Sequence, residues 1–409
     1  MRYKDTLFGK IPEDWEIKTI SEITDLVTDY VANGSFKALA ENVTYKENED
    51  EAVLIRLVDY NNAFKGGFVF IDEHAYEFLK KSKLYGGEII ISNVGANVGT
   101  VFRCPRLPYK MSLGPNAIMV KFKENNDFYY FWLKSHVGQH MLHSIVTGSA
   151  QPKFNKTNFR DMLVPVPPRD QQDKIAIILQ ALEDKITQNN KINDNLYAQA
   201  KAIFEQQFID LETIPDGWKK GNLLDIANYL NGLAMQKYRP NEDEVGLPVL
   251  KIKELRQGSC DNSSELCSPN IKPEYIIHDG DVIFSWSGSL LVDIWCGGTC
   301  GLNQHLFKVT SNTYDKWFYY LWTAHHLERF IAIAADKATT MGHIKRGELA
   351  KAEVLIPSDE DYKSINSLMN PIFNLIVAKQ IEARKLAELR DELLPKLMSG
   401  EIDVSEVSL

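Results

Sequence analysis

The chain repeats itself, and this constrains its fold more than any other feature. Five segments of the first half return in the same order in the second half, with a separation that shrinks smoothly along the chain. The pairs are IPEDW at 11–15 with IPDGW at 214–218, RLVD at 56–59 with KIKE at 251–254, GEIIIS at 87–92 with GDVIFS at 280–285, FYYFW at 128–132 with FYYLW at 318–322, and VPVP at 164–167 with VLIP at 354–357. Ordered self-similarity of this kind indicates a duplicated structural unit. We therefore expect an internal pseudo-twofold repeat, with each copy filling about half of the chain.

Each copy is predicted to contain a mixed domain followed by one long helix. Short β-branched runs at 88–92 and 281–286 are bounded by glycine and predict strands, and residues 129–143 predict an amphipathic helix. The fold class is therefore α/β (α+β): two mixed α/β domains joined by two long antiparallel coiled-coil helices. The predicted boundaries are 1–167 and 211–357 for the mixed domains, and 168–210 and 358–409 for the helical segments.

Apolar residues in the two helical segments recur at alternating steps of four and three, which is the heptad pattern of a coiled coil. The predicted core of the helix pair is Ile175, Leu179, Leu182, Ile186 and Leu196 in the first helix, and Ile365, Met369, Ile372, Ile376, Leu386 and Leu393 in the second. Asn189 and Asn193 interrupt the first core, and asparagine at such positions typically fixes register. The alternative is that each helix is merely amphipathic against its own domain.

The first helical segment is long enough to set a distance between two domains. Residues 171–208 would span roughly 57 Å as a helix at ~1.5 Å per residue. One turn of DNA separates successive recognition sites by about 34–36 Å. Two domains of a repeated protein could therefore face the same side of a duplex, with the helices setting their spacing.

Charge and composition restrict the class of protein. The net charge is −9, which argues against a uniformly basic nucleic-acid binder, but the first 165 residues are neutral overall. A DNA contact needs a local basic face, not a basic chain. No apolar run approaches the ~18 residues that span a membrane, so we expect a cytoplasmic protein without a membrane segment.

The five cysteines do not form a recognisable metal motif. Cys296 and Cys300 are separated by three residues, so they lack the CxxC spacing of a zinc knuckle. A zinc site formed with His305 is the less favoured alternative. Reduced, partly buried thiols are the preferred interpretation, and we predict no metal site.

The sequence carries no recognisable catalytic signature. The sequence contains no phosphate-binding GxxxxGK[ST] loop and no HExxH zinc motif. It also lacks the Asn/Asp-Pro-Pro-aromatic tetrapeptide of adenine methyltransferases, since VPPR at 166–169 has neither the amide nor the ring. The chain is therefore predicted to be non-catalytic.

Several of these segments resemble the specificity subunits of Type I restriction–modification systems. The similar segments are the two IPxxW openings, the closings GSAQPKFN at 148–155 and TTMGHIK at 339–345, and the C-terminal run LRDELLPKLMSGEI at 389–402. Individually these motifs are weak, but the ordered duplicate set is specific and covers essentially the whole chain.

The resemblance implies a function and a set of partners. Each mixed domain would be a target-recognition domain that recognises one half of a split site in double-stranded DNA. Because the two closings differ, the half-sites would differ and the whole site would be asymmetric. Two methylation subunits that use S-adenosylmethionine, and restriction/translocase subunits that use ATP and Mg²⁺, would be partners, and this chain would bind no cofactor itself.

Candidate DNA contacts are polar or basic side chains in the predicted loops, because base edges are recognised by amide, hydroxyl and cationic groups. In the first copy they are Ser92, Asn93, Asn97, Arg103, Ser149, Gln151, Lys153 and Lys156. In the second copy they are Ser287, Asn303, Gln304, His305, Thr340, His343, Lys345 and Arg346. The alternative for each of them is a solvated loop residue.

Two other functions remain open at this point. The duplicated domains could bind protein and form an interaction scaffold, which the acidic net charge slightly favours. A nuclease or methyltransferase with scattered carboxylates is the third hypothesis.

Overall fold

The structure is a computed structural model that describes residues 2–336 and 344–407. The described chain divides into two compact units. The first unit contains the residues up to Glu183 together with those from Leu389 onward, and the second contains Asp184 to Glu388. Each long helix therefore contributes one part to each unit. The sequence prediction instead treated the helices as segments separate from the domains, and its boundaries stay a prediction.

The first unit contains most of the elements of the N-terminal copy. Its strands are β1 (Tyr3–Thr6), β2 (Gly9–Pro12), β3 (Glu16–Thr19), β4 (Thr24–Asp29), β5 (Ala52–Ile55), β6 (Val69–Ile71), β7 (Lys83–Leu84), β8 (Ile89–Ser92), β9 (Val101–Arg103), β10 (Lys110–Leu113), β11 (Ala117–Phe122) and β12 (Leu163–Val166). Its short helices are α1 (Ile20–Ile23), α2 (Phe36–Asn42), α3 (Leu57–Asn61), α4 (Glu73–Phe78), α5 (Asn126–Lys134), α6 (His136–Ser144) and α7 (Lys156–Asp161). The first long helix, α8 (Arg169–Phe204), begins here and ends in the second unit, where a π-helical turn at Glu205–Ile209 follows it.

The second unit repeats this order of elements. Its strands are β13 (Lys219–Asn222), β14 (Asn228–Asn231), β15 (Leu247–Leu250), β16 (Leu266–Cys267), β17 (Ile276–Ile277), β18 (Val282–Ser285), β19 (Leu291–Ile294), β20 (Cys300–Leu302), β21 (Leu306–Thr310) and β22 (Glu353–Ile356). Its helices are α9 (Leu223–Ile226), α10 (Ile252–Gln257), α11 (Lys316–His325), α12 (Leu327–Asp336) and α13 (Arg346–Leu349). The second long helix, α14 (Asp359–Met398), begins in this unit.

Sheet topology confirms the internal repeat. The first unit has sheets in the order β4-β11-β8-β9 and β6-β5-β10-β7, and the second has β14-β21-β18-β19 and β16-β15-β20-β17. In each unit the second of these sheets contains one parallel pair, β5 with β10 and β15 with β20, and its other pairs are antiparallel. Two-stranded ladders β3-β12 and β13-β22 also correspond.

Strand β8 shows why these segments form buried strands. Its side chains point alternately to opposite faces, as the two-residue period of a strand requires. Ile89 and Ile91 enter the core that surrounds Trp132, whereas Ile90 packs with Phe102 and Met111 in a separate core. Both faces are covered, and this accounts for a continuous β-branched run instead of an alternating one.

The IPxxW motifs anchor the beginning of each domain to a long helix. Trp15 is 1% exposed and its indole Nε1–H donates to Gln171 Oε1 over 2.9 Å, in the first turn of α8. Trp218 makes the equivalent bond to Asp361 Oδ2 over 2.8 Å, in the first turn of α14. The repeated tryptophans thus make equivalent contacts in the two units.

Within each unit the two long helices pack antiparallel, as predicted. In the first unit Ile175 and Leu179, from the start of α8, share a core with Leu397 near the end of α14. In the second unit Phe204, from the end of α8, shares a core with Ile365 near the start of α14.

The predicted helix-pair core is buried to different degrees. Ile175, Leu179, Ile365, Met369 and Ile376 are buried. Leu182, Ile186, Leu196, Ile372, Leu386 and Leu393 are half-buried. The sequence interpretation missed Phe373, which is 0% exposed, whereas the polar Asn189 and Asn193 are buried in the seam where they were expected.

Asp293 on β19 gives the second unit a pH-dependent stability. Burial raises the pKa of its carboxyl group from 3.8 to about 6. The folded state therefore disfavours the carboxylate, and the resulting penalty is absent below about pH 4, grows between pH 4 and 6, and is constant above. We expect Asp293→Asn to raise the free energy of unfolding at pH 7 by about 3 kcal/mol, since one pKa unit corresponds to ~1.4 kcal/mol.

Urea denaturation at pH 7 and at pH 4 checks this prediction. Asp243→Asn, at an exposed position of the same unit, is the matched control and should leave stability nearly unchanged. A gain in the Asp293→Asn variant that is equally large at pH 4 would mean that desolvation of the charge is not its cause.

Candidate nucleic-acid interface

In the first unit three loops meet at one edge of the paired sheets. Since β5 and β10 are parallel, their carboxyl ends lie at the same edge, and the Gly114 amide donates to the Ile55 carbonyl over 2.9 Å. A short loop then leads to β11, whose first residue, Ala117, lies opposite Ser92 at the end of β8. The loops that follow β5, β8 and β10 are therefore neighbours.

The closing segment of the first domain packs onto this edge. The Phe154 amide donates to the Asn93 carbonyl over 3.1 Å, and the Gly95 amide donates to the Pro152 carbonyl over 2.9 Å. The Phe154 ring, only 2% exposed, anchors the segment in the core. Two segments that the sequence predicted separately, at 92–97 and 149–156, thus form one surface.

Most of the predicted contacts of the first copy lie on this surface. Its exposed members are Asn97, Ser149, Gln151 and Lys153. Asn93 is half-buried, and its Nδ2–H donates to the Phe154 carbonyl over 3.2 Å. Lys156 lies beside the edge, but its ammonium group is 2.8 Å from the Asp29 carboxylate. The surface is therefore rich in amide, hydroxyl and ammonium groups, as DNA contacts require.

Two predicted contacts of the first copy are not exposed on this surface. Ser92 is 1% exposed, so its hydroxyl is not presented to solvent. Arg103 lies at the other end of β8, opposite Ile89. Its guanidinium is 2.7 Å from the Asp127 carboxylate and 4.2 Å from the centre of the Tyr130 ring. Arg103 is therefore not at the loop edge, and its guanidinium contacts side chains of α5 instead.

The second unit presents the same edge with different side chains. The Asn303 amide, after β20, donates to the Leu250 carbonyl over 3.2 Å, and Ser285 at the end of β18 lies opposite Leu306. The loops after β15, β18 and β20 therefore meet as their counterparts do. The Ile344 amide of the closing segment donates to the Trp286 carbonyl over 3.1 Å, which repeats the contact of Phe154 with Asn93.

A cavity of about 450 Å³, lined mostly by polar and charged residues, opens at this second edge. Its lining residues are Gln236, Arg239, Lys251, Ile252, Lys253, Glu265, Asn303, Gln304 and His305. Three predicted contacts, Asn303, Gln304 and His305, thus share one cavity with three cationic side chains. Ser287 is 4% exposed, and its hydroxyl lies 3.0 Å from His305 Nδ1, so this buried hydroxyl holds the imidazole by a hydrogen bond.

The remaining predicted contacts of the second copy are in its closing segment. Lys345 and Arg346 are exposed and directly follow the anchoring residue Ile344. Thr340 and His343 lie outside the described residues.

Sequence reasoning missed the other six lining residues of the cavity, namely Gln236, Arg239, Lys251, Ile252, Lys253 and Glu265. Lys251 and Lys253 stand in a segment that was matched to 56–59 as a repeat but was not assigned a contact. The missing signal was the parallel pairing of β15 with β20, which brings the two loops together although about 50 residues separate them along the chain. A sequence pattern alone does not distinguish that pairing from an antiparallel one.

Three further observations concern metal binding, membrane spans and the cysteines. Within residues 2–336 and 344–407, no three or more His, Cys, Asp or Glu side chains are grouped so that they could hold a metal ion. In the same part of the chain, no helix combines the length and the apolar character needed to cross a membrane. Burial raises the pKa of the Cys296 thiol to about 12, as expected for a reduced structural cysteine.

Comparison with known proteins gives consistent matches over both copies. The family model for the Type I restriction modification DNA specificity domain matches residues 12–198 and again residues 215–390. The MjaIX specificity subunit of a Type I restriction enzyme from Methanocaldococcus jannaschii is 26% identical, over 99% of this chain and 97% of that protein. The EcoKI specificity subunit from Escherichia coli K12 is 24% identical, over 96% and 94%.

A solved structure has a similar fold. The crystal structure of the S subunit of a Type I restriction–modification system from M. genitalium superposes with a TM-score of 0.57 at 15% sequence identity. The match covers 97% of this chain and 99% of that one. The duplicated mixed domains with long helices are thus a known architecture.

Proposed function

Because the chain belongs to the family of Type I restriction–modification DNA specificity domains, we propose that it is the sequence-specific DNA-binding subunit of a Type I restriction–modification complex. Each unit recognises one half of a split site in double-stranded DNA. Base recognition uses the loop edge of each unit, where side-chain donors and acceptors can reach base edges in the major groove.

The observation that carries this proposal is the repeated edge. Two loop sets with the same backbone connections present different side chains, such as Gln151 and Lys153 in one unit and Gln304 and Lys253 in the other. A common scaffold with variable loops suits two related recognition tasks. Since the exposed groups differ, the two half-sites differ, and the complete target is asymmetric. A protein-interaction scaffold is not favoured, because both family matches are to a DNA specificity domain.

The chain itself is proposed to catalyse no reaction and to bind no cofactor. Two methylation subunits would supply S-adenosylmethionine-dependent adenine methylation, and restriction/translocase subunits would supply ATP- and Mg²⁺-dependent cleavage. The long helices α8 and α14 would set the spacing of the half-sites and carry the docking surfaces for the methylation subunits. The complex would act in the cytoplasm.

Modified-base sequencing of the host genome tests the proposal, with the gene intact and with the gene deleted. We expect a split, asymmetric motif that contains methyladenine in the intact strain and is unmethylated in the deletion strain. Complementation with the wild-type gene should restore it. Identical methylomes in a strain that expresses all three subunits would refute the proposal.

A further inference from the structure

One carboxylate lies among the cations of the second-unit cavity and binds two of them. Glu265 Oε1 is 2.5 Å from the Lys251 ammonium, and Glu265 Oε2 is 3.1 Å from the Arg239 guanidinium. The three side chains come from separate places: Lys251 follows β15, Glu265 precedes β16, and Arg239 lies between β14 and β15. The carboxylate therefore fixes two cations that the backbone alone would leave independent.

The corresponding place in the first unit carries different side chains. Glu265 lies next to Val249 in the β15-β16 ladder, where its carbonyl accepts the Val249 amide over 2.7 Å. In the first unit Leu54 lies opposite Val69 in the β5-β6 ladder, so a valine stands where the second unit has Glu265. Arg56, the counterpart of Lys251, binds Asp59 of its own helix over 2.7 Å. The cation pair is thus a property of the second unit.

Neither stability nor affinity explains a carboxylate at this place. The side chains of Glu265, Lys251 and Arg239 are 42%, 37% and 51% exposed, and exposed ion pairs contribute little to folding. The Lys251 ammonium lowers the pKa of the Glu265 carboxyl, so it is ionised at neutral pH. A fixed negative charge repels DNA phosphates and lowers overall affinity. The remaining effect of Glu265 is on the positions of the two cations and on the discrimination between bases.

We propose that Glu265 is a specificity-determining positioning residue of the second unit, an inference that rests on the proposed function. It directs the Lys251 ammonium and the Arg239 guanidinium towards acceptors on a base edge and keeps phosphates away from both cations. Guanine presents two such acceptors in the major groove, N7 and O6, and is the base that lysine and arginine most commonly contact. The half-site recognised by the second unit accordingly contains a G·C pair that depends on Glu265.

The amide groups of the same cavity fit this assignment. Asn303 Oδ1 accepts the His305 backbone amide over 3.2 Å, and this bond fixes the loop that presents Gln304. Lys253 lies 3.0 Å from the Ser263 hydroxyl and 3.6 Å from the Asp261 carboxylate, so this cation is also held in place. Cations that are preorganised in this way discriminate between bases better than mobile ones, because little side-chain entropy is lost on contact.

The test compares wild-type and Glu265→Gln complexes assembled with the methylation subunits. One probe is a duplex that carries the motif methylated in the host. The other is the same duplex with the half-site recognised by the second unit randomised. For Glu265→Gln we expect affinity for the randomised duplex to rise several-fold and its logarithmic salt slope to steepen by roughly 0.9. Discrimination between the two duplexes should fall roughly tenfold. Affinity and specificity would thus change in opposite directions, which a merely structural role does not predict.

Glu274→Gln is the matched control, because it removes the same charge from an exposed position of the same unit outside the cavity. Its discrimination ratio should equal that of the wild type. Modified-base sequencing of cells that carry Glu265→Gln should show one relaxed position, a G·C pair in one half-site only.

An unchanged ratio for Glu265→Gln would overturn the inference, as would relaxation at an A·T pair. A wild-type complex that does not discriminate between the two duplexes would instead refute the proposed function itself. The two failures are therefore distinguishable.

Discussion

Replacement of Phe373 by alanine is expected to lower the free energy of unfolding of the second unit by about 3–5 kcal/mol. The ring is 0% exposed on α14, and its centre lies 5.6 Å from the Tyr320 ring and 6.4 Å from the Tyr197 ring. It therefore joins both long helices of the unit to α11. Its removal leaves a cavity at the junction of three helices, where the surrounding backbone has little freedom to close it.

Urea denaturation combined with hydrogen exchange measures this effect and assigns it to a unit. The matched control is Leu375→Ala on the same helix, where the side chain is 43% exposed and the expected loss is below about 1 kcal/mol. Amides of β4, β8 and β11 in the first unit should keep their protection in the Phe373→Ala variant. Equal losses in the two variants would contradict the packing role assigned to Phe373.

At the corresponding place the first unit has ion pairs and not an aromatic cluster. By the shared register of the long helices, Glu183 on α8 corresponds to Phe373 on α14. Glu183 is 3.0 Å from the Lys134 ammonium and 3.7 Å from the Arg390 guanidinium, in place of an aromatic cluster. The duplicated backbone therefore tolerates an ion-pair network in one copy and an apolar core in the other. This is one reason why the repeat is visible in the order of motifs more than in residue identity.

Features with a local cause could be predicted from the sequence. The β-branched runs of β8 and β18, the heptads of α8 and α14, and the buried Asn189 and Asn193 follow from periodicity alone. The tryptophans of the IPxxW motifs were visible as a repeated pair, and the structure shows that they bond to Gln171 and Asp361.

Features that depend on long-range pairing could not be predicted in this way. Lys251 and Arg239 became candidate contacts only because β15 pairs in parallel with β20 and because Glu265 binds both cations. The same limit applies to Arg103 and Ser92, which were predicted as DNA contacts from their residue type. Arg103 lies at the opposite end of β8 from the loop edge, and Ser92 is buried. Composition identifies side chains that can bind DNA, but topology decides which of them reach a common surface.

Replacement of a single glutamine in each unit should relax one half of the target and leave the other half unchanged. Gln151 is exposed in the closing segment of the first unit, and Gln304 lines the cavity of the second. A glutamine amide can bond to N6 and N7 of adenine, and one such contact contributes about 1–3 kcal/mol of discrimination against a wrong base. Gln151→Ala should therefore broaden one half-site by roughly tenfold or more, and Gln304→Ala should broaden the other by a similar factor.

Modified-base sequencing of cells that carry each variant provides the measurement, because each methylated motif reports both half-sites at once. Gln206→Ala, at an exposed position in the π-helical turn and outside both loop sets, should leave the motif intact. The double variant Gln151→Ala, Gln304→Ala should relax both halves additively, since the two edges belong to separate compact units. If both single variants relaxed the same half-site, or if either relaxed both, the edges would not act as independent recognition surfaces. The duplication would then serve assembly and not the recognition of a split site.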